Sequence, residues 1–102
     1  MSNTQHSSAV QARRVRGHGL VQRLGFCDNW ERQARAEGIA GWVRNRADGS
    51  VEAFMQGPSD SLDRLCEWLR HRVPGARVVS LDVEPVPPEP ALGPHFERRP
   101  TA

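Results

Sequence analysis

The segment GWVRNRADGSVEAFMQG, residues 41–57, constrains the fold of this chain more than any other stretch. Asp48-Gly49 stands between two runs of β-type residues and supplies the positive φ of a tight turn, so the segment reads as a β-hairpin closed by Gly57-Pro58. An isolated hairpin is marginal in water and must be covered by other elements. The flanking sequence provides two. Before it, Phe26, Trp30 and Ala34 recur at i, i+4 and i+8 with Gly38 as a stop, which predicts a helix. After it, Leu62, Leu65, Cys66 and Leu69 mark one face of a second helix, with Ser59 or Ser61 as cap and Pro74-Gly75 beyond its end.

Strands are expected at both ends of this core. Val10 to His18 carries extended-type residues, and Gly19 to Gly25 reads as a loop. Val79, Leu81 and Val83 alternate with Ser80, Asp82 and Glu84, the pattern of a half-buried strand. Pro85 to Pro94 holds five prolines in ten residues and reads as a rigid connection, after which Phe96 to Arg99 forms a short edge strand. The order predicts an α+β, ferredoxin-like βαββαβ sandwich, an antiparallel sheet with both helices on one face. At 102 residues there is room for one domain, placed at 9–99, with a disordered lead-in at 1–8 and a tail at 100–102.

Charge and cysteine usage narrow the function classes. The net charge of +2 is too small to point to nucleic acid, but its distribution is uneven. Residues 9–46 hold eight arginines against three acids, so an anion is expected there. All fourteen basic residues are Arg, each able to fork onto phosphate or carboxylate, although a general compositional bias is the favoured explanation. The start MSNTQHSSA lacks a secretory pattern and no run approaches a membrane span, so the chain reads as cytoplasmic. Cys27 and Cys66 form neither a metal pattern nor a disulfide framework, and His6, His18, His71 and His95 are scattered. Trp30, Trp42 and Trp68 read as packing residues, which speaks against a base-stacking surface.

The hairpin carries a more specific signal. Gly41-Trp42-Val43-Arg44-Asn45, then Gly49, Val51 and Gly57 at their spacings, resembles the second signature of the acylphosphatase family. The resemblance extends over roughly Ala9 to Arg99, including Ala34, the Gly38-Ile39 turn, Trp68-Leu69 and Pro74-Gly75-Ala76-Arg77-Val78. The family's other signature, Gly-x-Val-Gln-Gly-Val-x-Phe-Arg, is matched by Gly19, Val21, Gln22 and Phe26. Arg23 stands at a family glycine, Leu24 at a valine, and Cys27 at the catalytic arginine.

What the resemblance implies is hydrolysis of the carboxyl-phosphate bond of a small acylphosphate, with no metal or organic cofactor; the chain is expected to be a monomer. Val21, Gln22, Arg23, Leu24, Gly25 and Phe26 correspond to the phosphate-binding loop, whose N–H groups and following helix form an anion cradle. Asn45 corresponds to the residue that orients the attacking water, and Cys27 occupies the place of the arginine fork. An arginine on a phosphoryl transition state is worth about 10³ to 10⁵ in rate, so activity is expected to be impaired. Arg23 is a candidate replacement, set against the obstruction a side chain causes where the family has glycine. Cys27 is expected to be a small filler, since the Cys-x5-Arg spacing of thiol phosphatases is not met and Asp28 disfavours a thiolate. The alternative function is a non-catalytic anion-binding or partner-binding module.

Overall fold

The computed structural model describes residues 10–22 and 25–102. The expected lead-in at 1–8 and the loop residues Arg23 and Leu24 lie outside the described residues. Strand β1 (Val10–Leu20) leads to helix α1 (Phe26–Ala36), then to strands β2 (Ala40–Asn45) and β3 (Val51–Pro58). Helix α2 (Ser59–His71), strand β4 (Arg77–Val86) and strand β5 (Phe96–Arg98) follow. The sheet order is β4-β1-β3-β2-β5. This is the ferredoxin-like α+β layout expected from the sequence. Four strands are antiparallel neighbours, whereas β5 runs parallel to β2, which makes the sheet mixed. The proline-rich return starts from β4 at one edge and delivers the chain to the opposite edge, and that crossing sets the direction of β5.

Side-chain alternation assigns the two sheet faces. Val15, Val43, Val51, Ala53 and Met55 face the helices and join Phe26, Trp30, Ala34, Leu62, Leu65 and Leu69 in one buried cluster. Each large side chain buried there contributes about 1.5–3 kcal/mol relative to exposure. Neighbouring strand residues point to the uncovered face, where Glu52 is buried under arginines. Its carboxylate takes Arg46 Nη1 at 2.9 Å and Arg44 Nε and Nη2 both at 3.1 Å, with Arg16 and Arg14 at 3.6 and 3.7 Å. Trp42, expected to be a packing residue, lies half-buried on this open face with the Arg44 and Arg99 guanidinium carbons each 4.9 Å from its ring centroid.

Local hydrogen bonding explains where the elements end. At the exit of α1, Gly38 N–H donates to Arg35 O at 3.1 Å and Ile39 N–H to Ala34 O at 2.9 Å, a Schellman pair closed over Gly38 at φ 71°. The expected serine cap on α2 does not form. Pro58 is the extended residue before the helix and still pairs with Val10, so β3 runs through Gly57-Pro58 straight into α2, and strand pairing sets the boundary.

The first and fourth strands also depart from expectation. β1 continues through Gly19 and Leu20, because pairing with β4 resumes after an irregularity: His18 faces Ser80 but Gly19 faces Val78. The extra residue is Val79. It is 77% exposed, while Val78 turns inward beside Leu81 and Val83. Strict alternation through Val79 therefore fails at one bulge. Pro85 is tolerated inside β4 because β4 is an edge strand.

Candidate active site

The loop between β1 and α1 is fixed at both ends. Val21 is fully buried at its start, and Phe26 is buried at its end, edge-on to Trp30 with ring centroids 5.8 Å apart. The Gln22 side chain donates from Nε2 to Arg46 O at 2.6 Å and to Ser50 O at 2.8 Å, so its amide ties the loop to the hairpin and is not free for an anion. Gly25 precedes α1 at φ 89°, a conformation that glycine takes without a Cβ penalty. Asn29 N–H to Gly25 O, at 2.8 Å, is the first bond of the helix. The N–H groups of Phe26, Cys27 and Asp28 therefore have no intrahelical acceptor, and α1 has no side-chain cap. Together they give the loop side of α1 a partial positive charge.

The hairpin presents Asn45 to that helix start. Its loop is a turn from Arg46 to Gly49, closed by Gly49 N–H to Arg46 O at 3.1 Å and Arg46 N–H to Ser50 O at 2.8 Å. Asp48 therefore sits within the turn, and Gly49, at φ 94°, follows as its left-handed residue. The Asp48 carboxylate accepts from Ser50 Oγ at 2.6 Å and Ser50 N–H at 2.9 Å, bonds that hold its carboxyl below the usual range. At the other end of β2, Gly41 sits so close to the Phe54 carbonyl that no Cβ fits. With β2 fixed in this way, Asn45 meets α1: the Cys27 thiol donates to Asn45 Oδ1 at 3.3 Å. Two groups 18 residues apart thus meet at the start of α1, and the other end of the Asn45 amide is an N–H₂ donor.

Comparison with known proteins agrees with this architecture. The family model for acylphosphatase matches residues 13–97. The acylphosphatase of Polaromonas naphthalenivorans (strain CJ2) is 46% identical over 86 residues, covering 84% of this chain and 85% of that one. The chain belongs to the acylphosphatase family. Acylphosphatase 1 of Ralstonia nicotianae is 42% identical over 102 residues and 99% of both chains. The structure of an acylphosphatase from Coxiella burnetii superposes with a TM-score of 0.83 at 30% identity, covering 95% of this chain and all of that one.

Cys27, in the first turn of α1, carries a thiol that is 4% exposed and belongs to the core cluster. Burial pushes the Cys27 thiol up; the Arg98 charge opposes this, while Asp28 and Glu31 add to it. A protonated thiol is neither a fork for phosphate nor an activated nucleophile.

The sequence reading missed Arg98. It faces Val43 across the β5–β2 pair, on the same sheet side as Asn45, and its Nη1 donates to Asp28 Oδ1 at 2.7 Å beside Cys27. Only the parallel pairing of β5 brings it there. Among the described residues, no three His, Cys, Asp or Glu side chains converge as a metal site, and no helix is long and apolar enough to cross a membrane. His18 lies on the open sheet face with Asp82 at 3.2 Å, away from Asn45.

Proposed function

We propose that the protein is an acylphosphatase with impaired turnover, a monomer acting in the cytoplasm on small acylphosphates. The observation that carries this reading is the contact of Asn45 with the first turn of α1, which joins the hairpin half of the site to the loop half. An acylphosphate dianion would lie against the backbone N–H groups of the loop from Val21 to Phe26 and the start of α1. Arg23 and Leu24 belong to the same cradle by resemblance. Asn45 would hold water in line with the phosphorus. Water oxygen bonds to phosphorus, the phosphorus–acyl oxygen bond breaks with its electron pair leaving on the carboxylate, and both water protons stay on the phosphate. Acylphosphate dianion and water thus give carboxylate and dihydrogen phosphate, with no redox change. Oriented donors of this kind are worth about 10² to 10³ each in rate.

The test is turnover of an aryl acylphosphate by the purified protein. Measurable hydrolysis, far slower than in a family member with an intact first signature, is the expected result. If neither the native protein nor the folded double variant Arg23→Gly with Cys27→Arg hydrolyses it, the enzyme reading fails. The second reading, a non-catalytic anion-binding or partner-binding module, is favoured by the neutral, buried thiol at Cys27. Rapid native turnover lost on Arg23→Ala would instead make Arg23 the replacement arginine.

A further inference from the structure

Three places carry chemistry that the proposed function does not use: the arginine cluster around Glu52, the buried Cys66, and the Arg98–Asp28 pair. The four arginines of the first are already turned onto one carboxylate, and Cys66 is a lone buried thiol. The third lies at the reacting corner.

Arg98 reaches this corner by strand register. β5 lies beside β2 with Arg98 opposite Val43, and Asn45 is two residues further along β2, hence on the same face. The chain beyond β5 stays on that edge: Arg99 N–H donates to Val43 O at 2.9 Å and Ala102 N–H to Asn45 O at 3.0 Å. The backbone that carries Arg98 is therefore tied to the backbone that carries Asn45. Its guanidinium meets the Asp28 carboxylate, one residue after the thiol that bonds Asn45. The pair is labile, because Arg98 and Asp28 side chains are 46% and 54% exposed and an exposed ion pair is weakly held. A phosphoryl dianion offers more charge and a bidentate edge, and so competes well against one carboxylate.

We propose that Arg98 supplies from β5 a guanidinium for the phosphoryl group where position 27 carries a thiol, resting on Asp28 in the free protein and moving onto the phosphoryl group when substrate enters. Asp28 is then both the parking place and the competitor. The role rests on the acylphosphatase reading, but binding of the phosphoryl group can be measured without turnover.

The probe is inorganic phosphate, titrated by calorimetry and by amide and guanidinium NMR signals, with thermal melts confirming that each variant folds. The native protein should bind phosphate with shifts at Arg98 and at the start of α1. Arg98→Met should weaken binding about tenfold or more, Arg98→Lys should weaken it less, and Asp28→Asn should tighten it several-fold. In the Cys27→Arg background the restored fork makes Arg98 redundant, so the loss on Arg98→Met should shrink below about threefold in both phosphate affinity and turnover. Unchanged affinity on Arg98→Met, equal losses in the two backgrounds, or no phosphate binding at all overturns the proposal. Phosphate affinity that depends on Arg98 without any hydrolysis upholds Arg98 as the anion's partner and removes only the enzyme reading.

Discussion

The hairpin half and the loop half of the site are held in opposite ways. Asn45 is placed by an over-determined frame: the Gly49 turn, the Asp48–Ser50 bonds, the close pass of Gly41 against Phe54, and the Gln22 amide on two hairpin carbonyls. Cys27 is held by burial in the core cluster, and a protonated thiol carries no charge for a phosphoryl group. Scaffold and electrostatics are therefore separable here. The backbone that shapes the cradle depends on glycine, burial and amide bonds, none of which needs an arginine at position 27.

The strongest way to break this comparison is to place an arginine at position 27 and leave the hairpin half as it is. Cys27→Arg together with Arg23→Gly should raise turnover of an aryl acylphosphate by about 10³-fold, with Cys27→Arg alone giving part of that gain. A repaired variant that folds but gains nothing would mean that the frame is not shaped for catalysis. Next in size is the support beneath β2 and β3. Glu52→Gln removes the carboxylate from beneath four arginines and should cost about 3 kcal/mol in urea unfolding at neutral pH.

The same residue predicts a pH dependence. Burial pushes the Glu52 carboxyl up, but the hydrogen bonds and charges of Arg46 and Arg44 outweigh it and hold it below its ordinary value. Its stabilising contribution is full above the unfolded value and is lost as pH falls through the lower, folded one. Melting temperature should therefore fall on acidification more steeply in the native protein than in Glu52→Gln, and parallel pH profiles would remove Glu52 from that role.

Asn45→Ala, made in the repaired background, should lower turnover about 10²-fold while the melting temperature changes little. A mild kinetic effect would take the water-orienting role away from the hairpin half. The smallest effect is expected from the tie between the halves. Gln22→Ala should reduce turnover about tenfold, equivalent to about 1.4 kcal/mol, since the loop then loses its hold on Arg46 and Ser50. An unchanged rate would show that the buried Val21 and Phe26 are sufficient anchors.

Much of the fold was legible because its signals are local. The Phe26, Trp30, Ala34 spacing, the leucine face of α2 and the Asp48-Gly49 turn each report a period or a backbone need within a few residues. The family was legible through its signatures, and the roles expected of Asn45 and Cys27 rest on them. Val79 was misjudged because a bulge is decided by the partner strand. Arg98 was missed for a related reason: 70 residues separate it from Asp28, and no local pattern announces that a strand at the end of the chain will run parallel to β2.

The Val79 bulge and the proline in β4 also bear on how copies of this protein behave when crowded. An exposed strand edge is a template on which a neighbouring chain can extend the sheet. Here that edge is interrupted by the swollen register at Val79, and the only N–H that Pro85 could offer is absent. The opposite edge is β5, whose three residues span less than a typical strand. An incoming strand would meet these interruptions on one side and a three-residue strand on the other, so edge-to-edge pairing of folded copies should be disfavoured.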